Sequence, residues 1–265
     1  LPAFERLMRE SLVATNATSS TAETLSAIPS IIAGRHVLSA TPKGRSLMLT
    51  FAEGTETWES QASLFMRVRD YGLTTGAAGW FHPYCVALEG QFDDCYWEPR
   101  LPTEHRTASV ADAALTHLQE AVFAFSPLVR MGLDDDLLTE SQLERWRRDH
   151  AEAFRRIRDR GSMMARAQPE GLLLVHYPAP HIPGILDLVS PEGADVASGY
   201  YGNVVLADRT LAALRAELQG QGTWDDTVVV VSSDHHWRLA PEIDRRVALL
   251  VKLLLPTLPR SRGTL

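Results

Sequence analysis

Cysteine, basic charge and long apolar runs are all scarce in this sequence of 265 residues, and each scarcity excludes something. Two cysteines are too few for a disulfide-dense miniprotein. Cys85 and Cys95 are close in an aromatic-rich stretch, so a local disulfide, which suits an oxidising compartment, and two reduced thiols both remain open. Basic residues number 26 against 33 acidic ones, a net charge of −7, which argues against a general nucleic-acid binder. No apolar run is long enough to span a bilayer; the richest, Val247 to Leu255, carries Lys252 and reads as a buried strand. Signal peptide, internal repeat and low-complexity linker are all missing. The chain begins with Leu rather than Met, so the missing targeting segment says little about location. A hydrophobic share of 45% and a charged share of 22% exclude a disordered or collagen-like chain. The length fits one large domain or two small ones.

The periodicities alternate between helix and strand. Leu1 to Ser11 carries Phe4, Leu7 and Met8 at helical spacing behind Pro2. A hydroxyl run (Thr15, Thr18, Ser19, Ser20, Thr21, Thr24, Ser26) leads into a helix stopped by Gly34. Pro29 belongs in a first turn, so that helix is expected to begin near Ser26 with Thr24 at its mouth. Ser46 to Phe51 and Leu73 to Trp80 are expected strands, with a helix over Ser63 to Tyr71. Ala111 to Phe125 and the arginine-rich Glu140 to Ala165 are expected helices, the latter with a solvated charged face. Gly171 to His176 and Thr227 to Val231 read as buried strands, with a helix over Tyr200 to Leu218. Apolar strands alternating with helices indicate an α/β fold with a mainly parallel sheet, whose ligands bind beyond the strand carboxyl ends.

Three places have the residues for chemistry. Asp234 and His235 follow Thr227 to Val231 directly; a carboxylate and an imidazole fixed by a strand suit a divalent metal, and a capped polar loop is the plainer reading. A Thr or Ser at a helix N-terminus suits a nucleophile, because free N–H groups there favour anions; N-capping uses the same residue types. His181 lies between Pro180 and Pro183, which stiffen its loop. His176 points from a strand and reads as a core residue, Asp208 suits a structural hydrogen bond before a role in assisting the site, and His36, His105, His117 and His150 read as surface residues. Trp97, Trp146 and Trp224 read as packing residues.

In order along the chain stand Thr24-Leu25-Ser26-Ala27-Ile28-Pro29-Ser30-Ile31-Ile32-Ala33-Gly34-Arg35, Gly79-Trp80-Phe81-His82, Pro180-His181-Ile182-Pro183, Tyr200/Tyr201 with Asp208, and Thr227 to His235. Together they resemble the sulfatase-like branch of the alkaline phosphatase superfamily. The resemblance implies a three-layer α/β/α sandwich with a mainly parallel central sheet. It implies one catalytic domain over 1–265, incomplete at both ends, with a helical insertion around 107–166. Thr24 lies ten residues before Gly34. That is the family's usual nucleophile spacing, with Thr21 and Ser20 as alternatives. Arylsulfatases carry an oxidisable Cys or Ser there, followed by x-Pro-Ser-Arg, and a lysine where this chain has Trp80. The resemblance is therefore closer to threonine-nucleophile phosphotransferases of bacteria.

By that resemblance Asp234, His235 and Thr24 hold a divalent metal, Zn²⁺ or Mn²⁺ before Ca²⁺ or Mg²⁺. His181 and His82 face the substrate, and His236 joins them or covers the site. The family's further acidic metal ligand, from a strand ahead of Leu1, is expected outside this chain. The expected activity is hydrolysis or transfer of phosphate esters, less readily sulfate esters, through a covalent threonine intermediate. The alternatives are an inactive sulfatase-like module that binds lipid head groups or a partner protein, and a sulfuric ester hydrolase. The implied substrate is an anionic ester such as a lipid head group or glycan, with no nucleic acid. The implied location is the periplasm or the extracytoplasmic face of the inner membrane, with membrane attachment through parts absent from this chain.

Overall fold

The computed structural model describes residues 1–99, 140–167, 170–190, 199–237 and 244–254. The expected helix Ala111 to Phe125, His105, His117 and the first part of the expected insertion lie outside these residues.

The helices are α1 (Pro2–Arg9), α2 (Thr24–Ala33), α3 (Leu64–Asp70), α4 (Tyr84–Ala87), α5 (Glu140–Ala167), α6 (Leu186–Val189) and α7 (Tyr200–Gly220). The strands are β1 (Leu12–Val13), β2 (Ser39–Lys43), β3 (Ser46–Phe51), β4 (Gly54–Thr57), β5 (Thr74–Phe81), β6 (Asp94–Pro99), β7 (Gly171–His176), β8 (Val229–Ser232) and β9 (Leu249–Lys252). They form three sheets, ordered β6-β5-β7, β2-β3-β4 and β1-β9-β8.

Among the described residues only the β6-β5-β7 sheet is parallel. Its residues alternate between two packed faces. Leu172 and Leu174 of β7 join Phe65, Trp58, Leu47 and Leu49 on one side. Leu173 and Val175 meet Ile157 and Met164 of α5 on the other. The arginines of α5 do more than face solvent: Arg156 pairs with Glu98 at 2.7 Å, Arg160 with Asp94 at 2.7 Å and Arg147 with Asp187 at 2.6 Å.

The expectation of a mainly parallel sheet needs correction at β8. This strand runs antiparallel to β9, which is antiparallel to β1. The described residues between β8 and β9 contain no helix to carry a parallel crossover, so the chain returns beside itself. Nor is β8 buried on both faces. Val229 packs with Leu7, Leu211, Leu218 and Trp224, whereas Val230 on the opposite face is 60% exposed. Lys252 is buried on the packed side, and its ammonium donates to the carbonyls of Trp224, Thr227 and Leu253.

A second correction concerns α2, which starts at Thr24 rather than near Ser26 and keeps Pro29 in its interior. Pro29 removes one helical hydrogen bond. The buried Ser30 hydroxyl ties the region together, donating to the Ser26 carbonyl (2.8 Å) and accepting from the Val37 N–H (3.0 Å). Gly34 ends the helix in the left-handed conformation, as its position implied.

Candidate functional site

The residues singled out for chemistry come together where α2 begins, next to the ends of β5, β7 and β8. Thr24 is the first residue of α2; the N–H groups of Ser26 and Ala27 donate to the Glu23 carbonyl, which leaves those of Thr24 and Leu25 with no partner within the helix. The Thr24 hydroxyl and the His235 backbone N–H both favour the charged form of the Asp234 carboxyl. Burial pushes the Asp234 carboxyl up, but its interactions with His176, His235 and the Thr24 hydroxyl outweigh this and hold it below the usual range. Asp234 is therefore ionised at neutral pH.

His235 is held by its Nδ1, 2.8 Å from the His236 carbonyl oxygen. A carbonyl can only accept, so Nδ1 carries a proton and Nε2 is the nitrogen left to face a cation. That Nε2 is 3.8 Å from Asp234 Oδ2. Asp234 Oδ2 is itself buried with no hydrogen-bond partner among the described residues. A buried carboxylate oxygen left in this way, beside an imidazole fixed through its other nitrogen, is a donor set suited to a divalent cation. With the Thr24 hydroxyl these residues supply three donors. Among the described residues no group of three or more His, Cys, Asp and Glu side chains is arranged to hold a metal. The fit is therefore that of a carboxylate, an imidazole and a hydroxyl, and not of a complete acidic cage.

His82 lies beneath Thr24 and not at an open mouth. It is 1% exposed, and its Nε2–H donates to the Thr24 carbonyl at 2.9 Å. Burial lowers its pKa to about 3, so it stays neutral and serves as a fixed donor. The residue before it, Phe81, has a φ of 75°, a left-handed conformation costly for a bulky side chain. That turn aims His82 at α2.

His181 stands on its loop with Nδ1 2.6 Å from the Ile182 carbonyl oxygen. Its ring is 5.4 Å from that of Trp80. The loop is held from behind by Asn203 of α7. The Asn203 side chain donates to the carbonyls of His181 (2.6 Å) and Pro183 (2.9 Å) and accepts from the Ile185 N–H (2.9 Å). Asn203 is fully buried, so Asn203→Ala leaves all three groups stranded. We expect it to cost about 3 kcal/mol of stability. Urea unfolding checks this, and a loss below about 1 kcal/mol would mean that water replaces the amide.

The alternatives for Thr24 are placed differently. The Thr21 hydroxyl already donates to the Glu23 carbonyl and accepts from Ser26 (2.9 Å). Ser20 is exposed and lines a cavity of ≈ 270 Å³ beside Asp234, with Thr18, Ser19, Ser30, His36 and Ser233. His236 is half-buried next to the ring stack of Tyr200 on Trp237 (3.9 Å). Asp208 is buried and accepts the Phe4 N–H at 2.8 Å, a structural bond as its helix position implied.

Two histidines have places that the sequence did not disclose. His150 is not a surface residue: it is 4% exposed, with its ring 5.3 Å from Trp80 and 6.4 Å from His181. The long charged helix around it hid this. His176, at the carboxyl end of β7, lies within the field of Asp234, and burial keeps it neutral. The strand-end position was the available signal. Cys85 and Cys95 form a disulfide, which resolves the open question between bond and thiols.

Neither a protein-family model nor any curated protein matches the chain. Solved structures do. Ps i-CgsB is similar over 95% of this chain and 60% of its own, with 13% identity and a TM-score of 0.54. The phosphonate monoester hydrolase of Agrobacterium radiobacter matches over 95% and 62%, with 13% identity and a TM-score of 0.51. The lipoteichoic acid synthase LtaP from Listeria monocytogenes matches over 94% and 58%, with 14% identity and a TM-score of 0.50. The chain thus spans about three fifths of the length of each of these structures. At such identities the likeness defines the fold, which is alkaline phosphatase-like.

Proposed function

We propose that this chain is a sulfatase-like ester hydrolase or transferase that acts on phosphate esters through Thr24. One observation carries the reading: Thr24 opens the first turn of α2, its carbonyl is held by the buried His82, and its hydroxyl favours the ionised form of Asp234. The hydroxyl oxygen bonds to phosphorus as the ester oxygen leaves, and the hydroxyl proton ends on the departing alcohol. Water or an acceptor alcohol then breaks the Thr24–phosphoryl bond. The N–H groups of the α2 turn favour the developing negative charge. His181 is the outer contact for the anion. Asp234, His235 and the Thr24 hydroxyl would hold a divalent cation, Zn²⁺ or Mn²⁺, which when bound makes the hydroxyl more acidic and offsets the charge of the ester.

Phosphate is preferred over sulfate because Thr24 cannot be oxidised to formylglycine, and Trp80 stands where arylsulfatases carry lysine. Two of the similar structures are, by their names, a phosphonate monoester hydrolase and a lipoteichoic acid synthase. That agrees with a phosphorus-centred reaction. The Cys85–Cys95 disulfide favours an extracytoplasmic location. Among the described residues no helix is long and apolar enough to cross a membrane.

The test is turnover of p-nitrophenyl phosphate, phenylphosphonate and sulfate esters, with Zn²⁺ or Mn²⁺ and after chelation. Faster release from the phosphorus esters, lost on chelation and restored by the cation, is the expected result. Faster release from the sulfate ester, or none from any ester with the cation supplied, overturns the reading.

A further inference from the structure

The end of β5 and the short helix after it carry a buried tyrosine for which the proposed reaction has no role. Tyr84 is fully buried, and its hydroxyl lies 2.7 Å from His176 Nδ1. Burial and the Asp234 charge push the phenol well above its ordinary range, so it remains protonated. Its ring occupies space that only glycine leaves. A Cβ placed on Gly79 would lie 2.3 Å from Tyr84 Cε2 and 2.8 Å from Cδ2. Gly79 is the β5 residue paired in register with His176 on β7. The phenol therefore lies across the missing side chain and reaches the ring on the neighbouring strand.

The polypeptide that brings Tyr84 there is the same one that serves Thr24. Phe81 turns left-handed, His82 donates to the Thr24 carbonyl, and Tyr84 N–H donates back to the His82 carbonyl at 2.8 Å. Asp234 acts electrostatically on His82, Tyr84 and His176 alike. α4 is a single turn of four residues, too short to hold its own position. Its buried Tyr84 and Ala87 pack in the core, and the residue between them and next to Tyr84, Cys85, is bonded to Cys95 on β6 with the two Cα atoms 5.6 Å apart.

We propose that Tyr84 is a positioning residue that sets the ring of His176 at the carboxyl end of β7, and that the Cys85–Cys95 disulfide holds Tyr84 in register to do so. Its effect on turnover rests on the phosphate-ester reading; the pairing itself does not. An ordinary core tyrosine would need only a hydrogen-bond partner. Here the partner is an imidazole within the field of the candidate site, and the donor is anchored by a covalent bond one residue away. Exchange with an external dithiol converts the disulfide to two thiols while the dithiol becomes a cyclic disulfide, which releases α4 from β6.

Tyr84→Phe keeps the ring on Gly79 and removes only the hydroxyl. Nitrogen NMR of the ¹⁵N-labelled imidazoles, with His176 assigned by loss of its signals in His176→Gln, reads the pairing without any turnover. We expect the His176 Nδ1 resonance to move in Tyr84→Phe and in dithiothreitol-treated wild type, while the other histidine signals hold. In kinetics, Tyr84→Phe should lower kcat about tenfold with KM nearly unchanged. Tyr84→Phe combined with His176→Gln should be no worse than His176→Gln alone. An unmoved His176 signal in Tyr84→Phe overturns the pairing. Independent, multiplying losses overturn the positioning role, and a signal indifferent to dithiothreitol overturns the part assigned to the disulfide. A moved signal in a protein that turns over no ester supports the pairing and counts against the proposed reaction.

Discussion

Thr24→Ala is expected to reduce phosphate-ester turnover at least about 10,000-fold while leaving the fold intact. The substitution removes the hydroxyl that opens α2 and favours the ionised form of Asp234. It keeps the backbone carbonyl to which His82 donates, so the support under the turn survives. The stability cost should be about 1 kcal/mol, the worth of one hydrogen bond. Thr24→Ser restores a hydroxyl at the same place and should recover most of the rate. Initial rates with p-nitrophenyl phosphate and a thermal melt of each variant make the comparison. Full activity in Thr24→Ala would remove Thr24 from the reaction. Ser20, which faces the cavity beside Asp234, would then be the better candidate than Thr21, whose hydroxyl is already engaged on both sides.

Asp234→Asn should be nearly as damaging, on the order of 1,000-fold in turnover. Asparagine matches aspartate in shape and removes the charge. That charge acts on His82, His176 and Tyr84, and the Thr24 hydroxyl favours it. The variant should also lose bound Zn²⁺ or Mn²⁺, because the buried Oδ2 is the strongest anionic donor of the set. Metal analysis after dialysis reads this separately from turnover. Loss of turnover with the cation retained would place the cation elsewhere. Retention of both would remove Asp234 from the site.

Residue order alone singles out several residues of the candidate site. The hydroxyl run ended by Gly34, the Asp234-His235 pair after a β-branched strand and the proline-flanked His181 mark three of its walls. These are signals of neighbouring residues: a left-handed cap, a strand that stops, a loop with fixed φ angles. The residues that support those walls were not legible. His82 was read as a substrate contact, yet the structure places it under the Thr24 carbonyl. Asn203 lies on a helix, far in sequence from the carbonyls of His181 and Pro183 that it holds. His150 looked like one polar residue among the charges of α5. Each depends on which elements pack together, and no local pattern records that.

The fold divides in the same way. The sequence alone determined where most helices and strands form, because periodicity and capping act over a few residues. It also determined that the chain is a globular α/β protein with too little basic charge for a general nucleic-acid binder. The tertiary structure decided which strands pair. It made β8 and β9 antiparallel, left Val230 exposed and joined Cys85 to Cys95. It also decided the burial that keeps His82 and His176 neutral and Tyr84 protonated. Strand pairing and desolvation are sums over contacts between residues distant in the chain, so they exist only once the chain has closed on itself.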